Sequence, residues 1–183
     1  MLKITGRRDS PQASVEIDAS IPFILRLGGN PGPGESLIWS CREGNFSLFE
    51  LWLDANTGAI HRVALVLLNI RGRIAESDQV DHGPMAPTPG RVPVCDISGW
   101  SAVKVGDNYN PLEFQHRFDL HLGKNFASVR FHDAGEPREW IVNHRSRFGI
   151  NSNDQLCRID LIGLKPDEFR IMRKALNYEE KPG

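Results

Sequence analysis

The chain has 183 residues, a size that suits one domain, and its 40% hydrophobic and 25% charged content is typical of a folded globular protein. Its 22 Lys and Arg residues nearly balance its 23 Asp and Glu residues, so the basic excess typical of nucleic-acid binding is missing and we expect no nucleic-acid partner. The longest apolar run, residues 63–68, is too short to span a bilayer, and the N-terminus lacks a signal-peptide pattern, so we expect a single cytoplasmic domain over residues 1–183 with no membrane association.

Alternation of apolar and polar residues predicts most of the secondary structure. At residues 14–19 it indicates a strand with one face in water, because successive side chains of a strand point to opposite sides. A turn segment rich in Asp, Asn and Gly separates residues 46–53 from residues 59–70, which predicts a β-hairpin. Residues 63–68 are apolar on both faces, so we expect a central strand covered on both sides. Further strands are predicted at residues 23–27, 37–42, 92–97, 114–122, 128–132, 139–143 and 156–161.

The C-terminal part of the chain predicts one helix, over residues 166–176. Proline is favoured in the first helical turn, and the acidic residues near the start and basic residues near the end suit the helix dipole. Phe169, Met172 and Leu176 share one face of this helix. Loops are predicted at residues 28–34, 71–91 and 98–111 because of their Gly, Pro and polar content. The fold is therefore predicted to be mainly β, a sandwich or a strongly bent antiparallel sheet with one C-terminal α-helix, with α+β as the alternative.

The sequence contains no pattern typical of a cofactor or metal site. The Gly-rich segment 28–34 includes two prolines, which lack amide donors, and no Lys-Ser/Thr pair follows it as in a phosphate-binding loop. His116 and His121 are five residues apart on one predicted strand and would point to opposite faces, so they cannot share a metal ion. The three cysteines lack a CxxC spacing. We expect neither a cofactor nor a metal.

Two hypotheses for the function follow, and the leading one is a non-enzymatic protein-binding module. Trp100, Asp107 and Tyr109 lie in the predicted polar loop 98–111. Exposed Trp and Tyr side chains are favoured anchors at protein interfaces, because they bury a large area at a small entropy cost. We therefore expect these three residues to contact another protein. The sequence indicates no particular oligomeric state, although a structural or oligomerisation domain joined through a strand edge is a third reading.

The alternative hypothesis is a small enzyme or ligand-binding protein with its site in a concavity of the sheet. His121 and His132 lie on the polar sides of their predicted strands and would converge if these strands pair. Together with Asp133 and Cys95 they would supply acid–base or thiol chemistry. A structure that places the two histidines far apart, or that leaves no pocket beside them, would argue against this hypothesis.

The plan of a curved antiparallel sheet with a terminal helix resembles the small bacterial immunity proteins that neutralise a partner toxin. The resemblance lies in the hairpin at residues 49–70 and in the C-terminal segment 156–176. It implies inhibition by occlusion, in which an acidic or aromatic loop fills the site of the toxin. No motif match carries a residue over from this family, and it is a separate hypothesis that Trp100, Asp107 and Tyr109 are the residues that contact the toxin.

Overall fold

A computed structural model of the chain describes residues 1–10, 13–28, 36–68, 74–76, 90–100, 112–114 and 116–178. Within these ranges the protein consists of β-strands and a single helix at the C-terminal end, which confirms the mainly β prediction. The elements in chain order are β1 Ile4–Asp9, β2 Ala13–Glu16, β3 Phe23–Leu27, β4 Ser36–Glu43, β5 Ser47–Asp54, β6 Ile60–Leu68, β7 Ile74–Glu76, β8 Arg91–Cys95, β9 Leu112–Phe114, β10 Phe118–Leu122, β11 Phe126–Phe131, β12 Glu139–Asn143, β13 Ser146–Ile150, β14 Leu156–Ile162 and α1 Pro166–Ala175.

Most strands belong to two six-stranded sheets. The first sheet has the order β2-β3-β6-β5-β4-β9, and the second has the order β12-β13-β14-β11-β10-β7. Neighbouring strands are antiparallel except at one edge of each sheet, where β9 runs parallel to β4 and β7 runs parallel to β10. The two halves of the chain exchange these edge strands, because β7 follows the first-sheet strands in sequence but joins the second sheet, and β9 precedes β10 but joins the first.

The two sheets pack face to face through aromatic side chains. The ring of Phe49 on β5 lies 5.7 Å from the ring of Phe118 and 5.6 Å from that of Phe131 in the second sheet. Trp39 on β4 meets Phe131 edge-on at 5.8 Å. Full burial of an aromatic side chain of this size contributes about 1.5–3 kcal/mol relative to exposure, so these contacts hold the layers together. The described strands therefore form a sandwich.

A small third sheet joins the two layers at one end. It pairs β1 with β8, and β8 also forms a bridge between Val94 and Ala59, next to the hairpin turn of the first sheet. Lys3, just before β1, bridges Gln155 just before β14 of the second sheet. The N-terminal residues thus connect the hairpin turn to the start of the last strand.

The predicted hairpin and the predicted helix are both present. The hairpin consists of β5 and β6, and β6 is central, between β3 and β5. Val63, Ala64 and Leu65 are completely buried, as expected for a strand covered on both faces, whereas Leu67 is 41% exposed. In the helix, Met172 is completely buried, and Arg173 pairs with Glu76 of β7 at 3.0 Å.

Other predicted elements differ from the structure. Residues 114–122 are predicted as one strand, but they contain the end of β9 and the whole of β10, which lie in different sheets. The alternation continues across the break because Phe114, at the end of β9, packs against the same core that contains Phe118 and Leu120 of β10. The predicted loop 71–91 contains the short strand β7, while residues 77–89 lie outside the described part of the chain. Strand β13 was not predicted, and all five of its residues are buried, including the polar Ser146 and Arg147.

No helix among the described residues is both long enough and apolar enough to cross a membrane.

Candidate functional site

The first candidate site is a pocket beside Trp100, which we name the Trp100 pocket. It has a volume of about 410 Å³. Its aromatic walls come from Trp39 on β4, Phe114 on β9 and Trp100, which follows β8. Lys3 and Asp96 add one charge of each sign to the lining. The pocket thus lies beside the parallel strand β9, which is the edge strand of the first sheet, and close to the small third sheet.

The wall formed by Trp39 and Phe114 is part of an aromatic stack. Their ring centroids are 5.7 Å apart with nearly parallel planes, and the imidazole of His116 stacks on both, at 6.2 Å from Trp39 and 6.1 Å from Phe114. Trp39 is only 1% exposed, so this wall is fixed by the core. Trp39 therefore offers almost no surface of its own to a ligand and serves as a rigid support for the partly buried ring of Phe114.

A tight turn after β8 positions Trp100. The Asp96 carboxylate accepts hydrogen bonds from the backbone N–H of Ser98 at 3.0 Å and from its hydroxyl at 2.6 Å, an arrangement that favours such turns. The backbone N–H of Trp100 then donates to the carbonyl of Ile97 at 3.0 Å. The hydrogen bonds from Ser98 lower the pKa of Asp96, so this carboxylate is ionised at neutral pH.

The predicted interface residues fall partly on this pocket. Trp100 is partly buried and packs against the core while it lines the cavity. Asp107 and Tyr109 lie outside the described residues. That these three residues contact a partner therefore stays a prediction.

The second candidate site is the outer face of the second sheet, which we name the polar face. Residues directly opposite each other on neighbouring strands point to the same side of a sheet. One row across five strands consists of Val142, Arg147, Asp160, Ser128 and His121. The next row consists of Trp140, Gly149, Arg158, Arg130 and Asp119. The face thus combines three guanidinium groups, two carboxylates, a hydroxyl and an imidazole.

An ion network lies at the centre of the polar face. The two oxygens of the Asp160 carboxylate accept hydrogen bonds from Arg147 Nε at 2.7 Å and from Arg158 Nε at 2.8 Å. Arg158 Nε also donates to the hydroxyl of Ser128 at 2.9 Å. Arg147 and Arg158 both lie over the ring of Trp140, at 4.6 Å and 5.3 Å. This network is almost completely shielded from water and fixes the side chains on which the rest of the face rests.

Both histidines of the alternative hypothesis lie on the polar face, but the register does not make them converge: His132 lies opposite Arg117, four residues and therefore roughly 13 Å along the strand from His121. His132 Nε2 lies 2.6 Å from the Asp119 carboxylate, and His121 is two residues along β10 from Asp119 on the same face. The carboxylate that contacts His132 is therefore Asp119 and not Asp133, which lies exposed in the turn after β11 with a positive φ of 60°. Burial, followed by the charges of Arg130 and Arg158, lowers the pKa of His121 and favours its neutral form.

The remaining residue of the alternative hypothesis, Cys95, does not join this group. It ends strand β8 of the third sheet and is only 2% exposed, with its side chain in the core. Burial raises the pKa of its thiol to about 12, which disfavours the thiolate that a nucleophile requires. Among the described residues, no group of three His, Cys, Asp or Glu side chains is arranged to hold a metal ion.

The sequence carried a partial signal for the polar face. Asp119 and His121, Ser128 and Arg130, and Arg158 and Asp160 are polar pairs two residues apart on predicted strands. The alternation of side chains along a strand shows that each pair shares a face of the sheet, but it does not show which strands are neighbours. Arg147, on the unpredicted strand β13, had no such signal.

Comparison with known proteins gives no family assignment, since neither a protein-family model nor a curated protein matches this sequence.

Proposed function

We propose that this protein is a non-enzymatic binding module that recognises another protein by receiving one of its side chains in the Trp100 pocket. The observation that carries this proposal is the pocket itself, a preformed aromatic cavity next to Trp100. Its size lies within the range typical of ligand pockets, and its lining is mixed, with polar groups beside the aromatic side chains.

The chemistry of the lining supports recognition of a side chain with an apolar or aromatic body. Phe114, held in place by the stacked and buried ring of Trp39, supplies one wall, and Trp100 supplies a second wall from a different segment. Lys3 is exposed and Asp96 is partly exposed, so both can form polar contacts with the backbone or with neighbouring residues of the partner. Aromatic anchors surrounded by polar groups are typical of the energetically important centres of protein interfaces.

Neutralisation of a toxin is the specific form of this proposal. In that form the side chain received by the pocket belongs to the toxin, and bound protein blocks the toxin's site. Its support is the resemblance of the hairpin and the C-terminal segment to immunity proteins. The test is co-expression with a toxin encoded by an adjacent gene, in which the wild-type protein protects the cells and Trp100→Ala does not.

The general proposal is tested with matched tryptophan variants. The full chain is used as bait in lysate of its native cells, and captured proteins are quantified for wild type, Trp100→Ala and Trp52→Ala. Trp52 is a suitable control because it is also partly buried but lies on the outer face of the first sheet, 4.6 Å from Arg62. The partner is then purified and its Kd is measured by calorimetry, after urea unfolding has shown that each variant is folded.

We expect Trp100→Ala to weaken partner binding by at least about 2 kcal/mol, roughly thirtyfold, as is typical of a central aromatic anchor, and Trp52→Ala to leave it unchanged. Asp107→Asn and Tyr109→Ala extend the same measurement to the other two predicted contacts. The proposal fails if folded Trp100→Ala captures the same proteins as the wild type with the same affinities.

A further inference from the structure

We propose that Ser36 is an acylation site, at which His61 activates the serine hydroxyl toward a reactive ester or thioester. The site lies on the outer face of the first sheet, near the hairpin turn between β5 and β6. It places one acyl group on the protein itself. It goes beyond the proposed function, because it involves neither the Trp100 pocket nor a partner protein.

The first observation is the direct contact between a nucleophile and a base. The hydroxyl oxygen of Ser36 and Nε2 of His61 are 3.0 Å apart. A serine nucleophile requires a base within hydrogen-bond distance of its hydroxyl, about 2.6–3.2 Å. Nε2 is also the nitrogen that takes the proton in the serine–histidine pairs of hydrolytic enzymes. Both residues are only partly buried, so the pair is not sealed within the core.

The second observation is that a β-bulge directs His61 to this position. Two consecutive residues of β5 pair with Ile60 and Arg62, so His61 is an extra residue between them. Ile60 is buried in the core, whereas Arg62 lies over the ring of Trp52 on the outer face. The bulge allows His61 to share the outer face with Arg62, and its ring reaches across β5 to Ser36 on β4. Bulges redirect side chains in this way and are common beside active sites.

The third observation is a carboxylate held next to the pair. Asp54 is the register partner of Ser36, so their side chains share one face of the sheet. Its Oδ1 accepts hydrogen bonds from the backbone N–H groups of Asn56 and Thr57 at 3.0 Å and 2.8 Å, which fix the carboxylate. Burial lowers the pKa of His61 to about 4, and the charge of Asp54 opposes this effect. Asp54 therefore stabilises the imidazolium that forms during the transfer, as the aspartate of a Ser-His-Asp triad does.

The transfer is balanced without a further reactant. Ser36 Oγ attacks the carbonyl carbon of the ester or thioester, and a C–O bond forms while the bond to the leaving alkoxide or thiolate breaks. The hydroxyl proton passes to His61 Nε2 and then to the leaving group, and nothing is oxidised or reduced. Because an imidazole with a pKa of about 4 is a weak base, the acyl compound needs a good leaving group.

The experiment treats the full chain with p-nitrophenyl acetate and measures the rate of acetylation at individual serines by peptide mass spectrometry. The pH is varied between about 5.5 and about 7.5, where His61 is neutral. Ser14, an exposed serine on β2, is the comparison within the same molecule. Wild type is compared with His61→Gln, whose amide can contact Ser36 but cannot take its proton, and with His144→Gln at an exposed turn. Urea unfolding shows beforehand that each variant is folded.

We expect Ser36 to be acetylated at least about a hundredfold faster than Ser14, and His61→Gln to remove this advantage. A hundredfold is the lower end of the range for a general base, in keeping with the weak basicity of His61. The rate at Ser36 should be nearly independent of pH in this range, because its base is already deprotonated, whereas the rate at Ser14 should rise with hydroxide concentration. His144→Gln should keep the wild-type rates.

The inference is overturned if Ser36 in the native protein is acetylated no faster than Ser14, or if folded His61→Gln is acetylated at Ser36 at the wild-type rate. Either result leaves the proposed function untouched, since Trp100 and its partner take no part in the measurement.

Discussion

Arg147 Nε donates a hydrogen bond to Asp160 Oδ2 at 2.7 Å, at a place where the two side chains are 1% and 0% exposed. Removal of an ion from water costs several kcal/mol, and only close pairing with good geometry offsets this cost. The pair is supported by Arg158, which donates to the other oxygen of Asp160. One buried carboxylate on the outer face of the second sheet thus accepts hydrogen bonds from two neighbouring guanidinium groups.

The first prediction concerns this carboxylate. Asp160→Asn should lower the free energy of unfolding by about 3–5 kcal/mol, because it leaves two buried guanidinium groups without their shared negative charge. Urea unfolding followed by tryptophan fluorescence measures the change. Asp167→Asn is the control: Asp167 pairs with Arg170 at 3.5 Å on the exposed surface of the helix, where such pairs contribute less than about 1 kcal/mol. Equal losses for the two variants would show that the network contributes nothing beyond a surface pair.

The second prediction concerns the hairpin turn. Gly58 has a positive φ of 72°, and a Cβ at this position would overlap the carbonyl oxygen of Cys95, whose N–H donates to the Gly58 carbonyl at 2.8 Å. Gly58→Ala should therefore destabilise the protein by roughly 3 kcal/mol or more, because backbone atoms of β8 would have to move. Thermal unfolding of the purified variant provides the measurement.

Gly135→Ala separates the two causes of the destabilisation, which are the backbone strain at a positive φ and the overlap with the Cys95 carbonyl. Gly135 has a similar φ of 69°, but a Cβ there would meet no other atom within contact distance. Its loss should be limited to the backbone strain of about 1 kcal/mol. If Gly58→Ala is no less stable than Gly135→Ala, the contact between the hairpin turn and β8 does not constrain the fold.

The elements that the sequence predicted well are those that local physical chemistry determines. The Asp, Asn and Gly residues of the hairpin turn and the alternating strands around it indicated β5 and β6, and Pro166 with the charges of the helix ends indicated α1. Strand pairing is a different problem, because it depends on residues far apart in the chain. This is why residues 114–122 were predicted as one strand although β9 and β10 lie in different sheets.

The candidate sites show the same limit. Trp100 was predicted as a functional residue, but its neighbour Trp39 in the pocket is 61 residues earlier in the chain, within the predicted strand 37–42. His121 and His132 were predicted to converge, and the sequence pointed to the adjacent Asp133 as their carboxylate. The antiparallel register of β10 and β11 instead brings Asp119 to His132. Register is set by tertiary pairing, which a single sequence does not specify.

The third prediction concerns the cysteines. Cys41, Cys95 and Cys157 are free and buried, and burial raises the pKa of their thiols to about 12, 12 and 11. All three should therefore react very slowly with a thiol reagent in the native protein at pH 7.5 and fully in urea. Mass spectrometry of the labelled peptides counts the modified sites. Rapid native labelling of Cys95 would instead support the thiol chemistry of the alternative hypothesis.

The fourth prediction concerns the pH dependence of stability. His61 on β6 lies next to Ser36, with 3.0 Å between the imidazole Nε2 and the serine hydroxyl, and burial lowers the pKa of His61 from 6.5 to about 4. In the unfolded chain this imidazole binds a proton below about pH 6.5, whereas in the folded protein it remains neutral until about pH 4. The unfolded state therefore binds more protons in this window, so the stability that neutral His61 provides is complete above about pH 6.5 and is lost as the pH falls toward 4.

For a group with this pKa shift, the free energy of unfolding should decrease by roughly 2 kcal/mol between pH 7 and pH 5. Because other histidines add to the total change, the contribution of His61 is obtained by comparing wild type with His61→Gln, which can still form a hydrogen bond with Ser36. We expect the free energy of unfolding of His61→Gln, measured by urea titration, to decrease less between pH 7 and pH 5 than that of the wild type. His144→Gln, at the exposed turn between β12 and β13, is the comparison for the effect of replacing a histidine elsewhere in the fold. If His61→Gln loses as much stability between the two pH values as the wild type, the imidazole of His61 is not held in its neutral form by burial in the folded protein.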